Sequence, residues 1–455
     1  MASSLVIPDG FQMGVATSSW QIEGDSAGRG RCVWDDFAMR SGAIVDGTRA
    51  DPACDHVARY VEDLDLLSWF GVDTYRFSIS WPRVMPGGSG PLAATGLDFY
   101  DRLIDGLLDR GIEPVATLYH WDLPSELQAT GGWVNRDTAD RFADYAEAMG
   151  ARYADRVARW ATLNEPWCSS FLSYAAGVHA PGMRDPGASL AAAYHLMLGH
   201  GLAMQRLRAV NAHNLGIVLN ITPVYATEPS MEAVAHHVDG TQNRFFLDLL
   251  AGRGVPQDLI ENCAHLTDWS FVQDSDNSII STQMDWIGEN YYSVMRVAPP
   301  NADTAAAVGQ DALASPGCPP MTYAPRAPLT QMGWEIYPPG MTEVLHRIAK
   351  DLPGIPMWIC ENGGAMDETV DDSGVHDPIR TNYLQDHISA VLQARNEGVD
   401  VRGYFAWSLL DNIEWAEGWT KRFGLVRVDV DTQVRTPKDS ALWYRAVLQA
   451  RGAPD

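Results

Sequence analysis

Two segments, Thr162-Leu163-Asn164-Glu165-Pro166 and Ile359-Cys360-Glu361-Asn362-Gly363, each end an apolar run on a glutamate flanked by an asparagine. An ionisable carboxyl at the mouth of a buried strand costs free energy unless it is paired or put to use. Two such carboxyls, far apart in sequence, imply a fold that gathers distant strand ends. Carboxylates on either side of one bond are the working parts of glycosidic bond cleavage, one as acid and one as nucleophile or base. Taken singly, either glutamate fits an ordinary strand-end ion pair. The residues that accompany them decide between the two readings.

The elements that must position these groups recur along the chain. Short runs rich in β-branched and aromatic residues predict strands at Phe11–Thr17, Thr74–Ser80, Glu113–Tyr119, Arg159–Glu165, Leu215–Ile221, Asp285–Tyr292, Pro356–Asn362 and Val401–Trp407. Their near-continuous apolar character predicts burial on both faces, as in a parallel sheet. Helical periodicity fills Asp55–Phe70, with Val57, Val61, Leu64 and Leu67 on one stripe. It recurs in Gly96–Arg110, Thr138–Tyr153, Leu190–Asn211, Asn382–Asn396 and Ser440–Ala450. Alternation to a count of eight predicts an α/β fold, a single (β/α)8 TIM barrel running 1–455 as one catalytic domain. Turns into strands are short, whereas connections leaving strands are long, and such barrels place their chemistry at the strands' C-terminal ends. The stretch Ala298–Pro339, dense in Pro, Gly and Ala, predicts an irregular excursion.

Composition narrows the function classes. The 58 acidic residues outnumber 33 basic ones, only three of them Lys, for a net charge of −25. Such a field repels nucleic acid and anionic membrane surfaces. No apolar run is long enough to span a bilayer, and Met1–Pro8 lacks the basic and apolar regions of a secretory signal, so a cytoplasmic protein is expected. Six cysteines without CxxC spacing predict neither a disulfide framework nor a zinc site. His120 is the only histidine at a strand end, which argues against a metal-dependent barrel hydrolase. No metal or cofactor is expected.

The predicted strand ends share a character. They carry Trp20-Gln21-Ile22-Glu23-Gly24, Arg76 to Trp81, His120-Trp121, Asn164-Glu165, Asn290-Tyr291-Tyr292, Glu361 and Trp407, followed by Asp411-Asn412-Ile413-Glu414-Trp415. Amides, carboxylates and a histidine pair with hydroxyl groups, and indole faces stack on the apolar face of a pyranose. Their grouping argues for a sugar site.

Eight stretches in order carry a resemblance: Ala16–Gly24 (ATSSWQIEG), Tyr75–Arg83 (YRFSISWPR), Tyr119–Pro124 (YHWDLP), Thr162–Trp167 (TLNEPW), Glu289–Tyr292 (ENYY), Gly333–Pro338 (GWEIYP), Glu361–Gly363 (ENG) and Trp407–Trp415 (WSLLDNIEW). The chain resembles family 1 glycoside hydrolases of the retaining β-glucosidase type across its length. The resemblance implies that Glu165 is the general acid/base and Glu361 the nucleophile, with Arg76 and Tyr292 stabilising it. It implies substrate contacts from Gln21, His120, Trp121, Asn164, Asn290, Glu414, Trp415 and Phe423, with Trp407 as stacking platform and Trp334 as a wall beside the leaving group. Trp167 and Leu172 match a pair that narrows the entrance in glucose-tolerant relatives. The implied substrates are small β-glucosides and oligosaccharides such as cellobiose, with transglycosylation and tolerance of β-fucosides and β-galactosides. Oligomeric state does not follow.

Relatives acting on 6-phosphosugars usually carry Ser and Tyr where Glu414 and Phe423 stand, and a carboxylate facing a phosphate is repulsive. A 6-phospho-β-glucosidase is therefore disfavoured, and so is a non-catalytic sugar-binding barrel, since both glutamates are present. Three positions depart from the family pattern. Cys360 is expected as a small buried filler, Glu289 as an outward ion pair, and Trp419 as a change at the pocket rim.

Overall fold

The computed structural model describes residues 5–300 and 313–451. Its centre is a closed barrel of strands β1 (Gln12–Ala16), β2 (Thr74–Ser78), β3 (Glu113–Tyr119), β4 (Arg159–Asn164), β5 (Leu215–Leu219), β6 (Trp286–Asn290), β7 (Met357–Asn362) and β8 (Val401–Trp407). Each strand pairs in parallel with its neighbours in sequence, and β8 closes onto β1. The strands match the expected ones but stop slightly short of several predicted ends, because the chain leaves the ladder where it turns toward the barrel mouth.

The main helices of the outer layer are α1 (His56–Phe70), α2 (Ala94–Leu108), α3 (Asp137–Tyr153), α4 (Pro186–Ala209), α5 (Glu232–Asp239), α6 (Pro338–Asp351), α7 (Pro378–Asn396) and α8 (Asp439–Gln449). The stripe expected for α1 is wrong in part: Val61 is 48% exposed and Val57 only half-buried. The buried face instead carries His56, Asp63, Leu64, Leu67 and Phe70. Asp63 turns inward because Arg435 Nε (3.0 Å) and His56 Nδ1 (2.7 Å) reach it from the core.

The excursion Ala298–Pro339 also needs correction. Residues 301–312 of it lie outside the described residues. Of the rest, Thr322–Tyr323 pairs antiparallel with Met295–Ala298, which pairs in turn with Val224–Ala226 in a small sheet. Its last two residues, Pro338 and Pro339, begin α6, where proline is favoured because the first N–H groups have no helical partner.

Inside the barrel, Val115, Ala161, Val218, Trp286, Trp358, Cys360 and Phe405 fill the bore, so Cys360 is the buried filler expected. At the N-terminal end Arg159 bridges Gln12 Oε1 (2.8 Å) and Glu113 Oε1 (2.5 Å), with its guanidinium 4.5 Å from the Trp358 ring centre. These bonds seal that end, with Arg159 Nε alone of its guanidinium nitrogens left without a partner. The cavity opens at the other.

Candidate active site

The ends of β4 and β7 are locally irregular. Pairing of β4 with β5 shifts register between Ala161 and Asn164, and that of β7 with β6 shifts between Ile359 and Glu361. Such irregularities bend a strand and re-aim the side chains that follow. Gly363 is required next: a Cβ there would lie 1.9 Å from the Trp407 carbonyl oxygen, so only glycine lets β7 pass β8 closely. Glu165, Trp121 and Trp415 all sit at positive φ (46°, 74° and 45°), a region that non-glycine residues avoid at a cost of about 1–3 kcal/mol. The strain falls where side chains must turn into the barrel mouth.

Glu165 and Glu361 line one cavity of about 390 Å³ together with His120, Trp121, Asn164, Trp167, Leu172, Asn290, Tyr292, Trp334, Trp407, Glu414, Trp415 and Phe423. Hydrogen bonds join the two carboxyls. Asn290 Nδ2 donates to Glu165 Oε1 (2.7 Å) and Asn164 Oδ1 (3.0 Å). Arg76 donates through Nη2 to Asn164 Oδ1 and through Nη1 to Glu361 Oε1, both at 2.6 Å. Tyr292 Oη donates to Glu361 Oε2 at 2.6 Å. Arg76 has no exposed surface and works from behind the cavity wall.

Because Arg76 can only donate, Oδ1 of Asn164 must face it, leaving Nδ2 to donate to His120 Nε2 at 3.1 Å. His120 therefore carries its proton on Nδ1, which is buried without a partner. Burial first, and then the charge of Arg76, hold its pKa well below the usual value, so the ring is neutral.

The carboxyls are set apart electrostatically. Burial first, and the Glu361 charge second, push Glu165 up to about 8. Burial raises Glu361 as well, but Arg76, Tyr292 and Asn290 oppose the rise by favouring its charged form. Glu414 is also pushed up to about 8, by burial and then by Glu361 and Glu165, and its Oε2 has no partner. Among the described residues lining the cavity, the only Lys or Arg is Arg296, spent on a two-point bond to Glu335 (2.8 and 2.7 Å). Lys421 Nζ donates to the Gln331 carbonyl instead. No group of three or more His, Cys, Asp or Glu among the described residues is arranged to hold a metal ion.

Gln21 sits just behind the cavity lining. It does not line the cavity: its amide accepts from Ser18 (2.6 Å) and donates to Asn412 Oδ1 (3.0 Å) and the Ile413 carbonyl (2.8 Å), which anchors the loop carrying Glu414. Trp121 spends its indole N–H on the Asn164 carbonyl (2.9 Å) and presents a face to Trp415, 4.4 Å between centres. Trp407 lies nearly parallel to His120. Trp334 and Phe423 flank Tyr292. Trp81, grouped by sequence with the strand-end aromatics, stacks on Tyr145 in the core. Trp419 is half-buried and lies outside the cavity lining.

Glu289 reverses its expectation. Strand alternation turns Asn290 into the bore and Glu289 outward from it, but into the packed layer under the helices, not to solvent. It has no exposed surface, accepts only the Ile221 N–H (3.2 Å), and burial drives its pKa well above the usual carboxyl value. It is a neutral buried acid, not an ion pair.

Sequence reasoning missed Cys168, whose Sγ donates to Glu165 Oε2 at 3.1 Å. Burial, and then Glu165, keep the thiol protonated. Its position three residues after Glu165, on the first turn of a wide helical segment (Cys168–Ala176), was the available signal. Asn220, Thr222 and Gln242 also line the cavity and lay outside every motif.

Comparison with known proteins agrees with this geometry. The chain is 44% identical over 453 residues to the thermostable beta-glucosidase B of Thermobispora bispora, covering 99% of this chain and 92% of that protein. It is 42% identical to the bifunctional beta-D-glucosidase/beta-D-fucosidase of Bifidobacterium breve, covering 99% and 100%. The crystal structure of a psychrophilic beta-glucosidase from Micrococcus antarcticus superposes with a TM-score of 0.94 at 42% identity, covering 100% of both chains. The family model for glycosyl hydrolase family 1 matches residues 3–453, and the chain belongs to that family.

Proposed function

We infer that the protein is a retaining β-glucosidase that removes terminal non-reducing β-D-glucosyl residues by double displacement, its barrel acting as one catalytic domain. The observation that carries the reading is that one amide, Asn290, hydrogen-bonds Glu165 and also favours the charged form of Glu361. Two carboxyls within reach of one amide fit the close spacing of retaining enzymes, about 5–5.5 Å, better than the about 6.5–9.5 Å of inverting ones.

In the first step Glu361 attacks the anomeric carbon while Glu165 gives its proton to the departing oxygen. Arg76 and Tyr292 hold the attacking carboxylate in place. Glycosylation removes the Glu361 charge, so Glu165, having lost its proton, stays ionised and takes one from water in the second step. Cys168 and Asn290 both donate to Glu165, fixing its orientation in both states. His120 Nδ1–H supplies a donor, and the free Glu414 Oε2 a donor or an acceptor according to its protonation, for sugar hydroxyls, and Trp407 offers the pyranose a flat face. A cavity with three carboxyls and one neutralised cation suits a neutral sugar better than a phosphorylated one. The relative named for both glucosidase and fucosidase activity supports tolerance at the sugar's 4- and 6-positions. An alcohol entering in place of water gives transfer, and Trp167 and Leu172 at the cavity wall favour it by narrowing the approach.

The test is hydrolysis of 4-nitrophenyl β-D-glucoside followed by proton NMR. β-Glucose as the first-formed anomer is the expected result. α-Glucose first would overturn the double displacement.

A further inference from the structure

Asn362 follows the nucleophile at the end of β7, yet it does not line the cavity and no step of the mechanism uses it. It has no exposed surface. Its amide is fully engaged: Nδ2 donates to the Tyr291 carbonyl (2.6 Å) and to Tyr383 Oη (3.1 Å), and Oδ1 accepts from Tyr404 Oη (2.8 Å). A carbonyl can only accept, so the amide has a single orientation. Four elements meet there. β7 supplies the amide, β8 supplies Tyr404, α7 supplies Tyr383, and the segment after β6 supplies the carbonyl.

This knot holds the donor that serves the nucleophile. Tyr292 follows Tyr291 in the chain, and its hydroxyl bonds Glu361 Oε2 at 2.6 Å. The backbone there is held at three points. Asn362 takes the Tyr291 carbonyl, Tyr383 Oη donates to the Tyr292 carbonyl (3.4 Å), and the Tyr291 N–H donates to the Glu361 carbonyl (3.0 Å). His387 stacks on Tyr383, 3.9 Å between ring centres, and keeps that hydroxyl in place.

The strand ladder leaves a gap at this point. Pairing of β7 shifts register against β6 between Ile359 and Glu361, and against β8 between Ile359 and Asn362. Where pairing is irregular, the ladder no longer fixes how the strand ends lie against each other. Side-chain bonds supply the missing restraint. Precision matters here, because a hydrogen bond weakens steeply as its angle departs from linear.

We propose that Asn362 is a positioning residue for the nucleophile and acts through Tyr292: with Tyr383 and Tyr404 it locks the ends of β6 and β7 together and so sets the bond from Tyr292 to Glu361. This rests on the retaining glucosidase reading. Glu361 is faced by Arg76 from β2, Glu165 after β4, Tyr292 after β6 and Glu414 after β8. Arg76 and Tyr292 favour its charged form, so slackening the Tyr292 bond makes Glu361 harder to ionise.

The experiment follows kcat/KM for 4-nitrophenyl β-D-glucoside from the acid end of the pH profile to its plateau. The unaltered protein, Asn362→Leu and Tyr383→Phe are compared, and each change is repeated in a Tyr292→Phe background. Thermal unfolding reports which variants fold. The loss in Asn362→Leu should be about tenfold greater at the acid end than on the plateau, the scale of one hydrogen bond to a charged group, with Tyr383→Phe moving in the same direction. In Tyr292→Phe the extra acid loss should vanish, because no hydroxyl is left to position. A residue serving stability alone would lower Tm and leave the two losses equal. Losses within about twofold of each other in every folded variant, or an extra acid loss that persists undiminished without the Tyr292 hydroxyl, overturn the proposal. If Asn362→Leu does not fold, Tyr383→Phe decides. No hydrolysis by the unaltered protein instead overturns the glucosidase reading itself.

Discussion

The two-step mechanism requires that the charge on Glu361 sustain the proton on Glu165, and this can be isolated by Glu361→Gln. In the intact protein Glu165 is pushed up to about 8, with burial the larger cause and Glu361 the second. Two unit charges about 5.5 Å apart repel by about 3 kcal/mol at an effective dielectric constant of about 20, which is about two pKa units. Removing the Glu361 charge therefore takes Glu165 well below that value. The Arg76 charge, no longer neutralised, acts in the same direction, since it already lowers the Glu165 pKa. The fall stops short of an ordinary glutamate because burial is unchanged. The assay is the pH dependence of the carboxyl carbon-13 resonances in glutamate-labelled protein, with Glu165 assigned from its loss in Glu165→Gln. A midpoint in Glu361→Gln equal to that of the intact protein would refute the reasoning, since burial alone would then set the value. The same charge loss in the trapped 2-fluoroglucosyl enzyme should give a shift of the same sign.

Glu165→Ala should be selective by leaving group: glycosylation by activated aryl glucosides survives, while cellobiose hydrolysis falls on the order of 10²–10⁴-fold, and equal losses on both would contradict an acid role. Glu414→Gln should cost kcat/KM on glucosides but change stability with pH in a definite sense. Its folded pKa is raised, so the carboxyl's contribution to stability is present at low pH and lost as pH climbs toward 8. The variant should thus gain more in Tm over the parent at pH 8.5 than at pH 5, and a gain confined to acid would rule this out. Rising glucose should inhibit aryl glucoside turnover weakly and yield transfer products if Trp167 and Leu172 gate the approach. Strong competitive inhibition at low millimolar glucose without transfer would exclude the gate.

The barrel was legible because its signals are local. Strands buried on both faces produce apolar runs, and β3 and β8 begin and end where those runs do. The α1 stripe was misread because a buried ion pair, Asp63 with Arg435, joins residues far apart in sequence and turns the helix against its apolar pattern. The same limit applies at the site. Glu165, Glu361, Asn164 and Tyr292 announce themselves by motif. The roles of Cys168 and Gln242 depend on which atoms meet across loops, and so does the second task of Gln21, whose amide anchors the loop carrying Glu414. Glu289 failed for a different reason: a carboxyl on a strand predicted to be buried on both faces was assigned a charged partner, whereas it is buried with a single backbone donor, the Ile221 N–H.

The two ends of the barrel differ in a way that bears on what the molecule binds. At the N-terminal end the charges of Arg159 and Glu113 and the Gln12 amide bond to one another, leaving one unpartnered nitrogen, Arg159 Nε. At the other, His120 Nδ1, His179 Nδ1, Asn290 Oδ1, Glu414 Oε2, Trp167 Nε1 and Gln242 Oε1 are all buried without partners on a single cavity. Donors and acceptors are both among these six atoms. A metal ion or a phosphate would use only one kind, whereas a hydroxyl group serves either. A ligand that answers all of them needs many hydroxyls on a rigid frame between aromatic walls. Replacing His120 by Phe removes the Nδ1 donor and also leaves Asn164 Nδ2 buried without its acceptor, so binding of a glucose-like ligand should weaken about tenfold and Tm should fall. A lower Tm with ligand binding unchanged would mean that His120 serves the fold rather than the sugar.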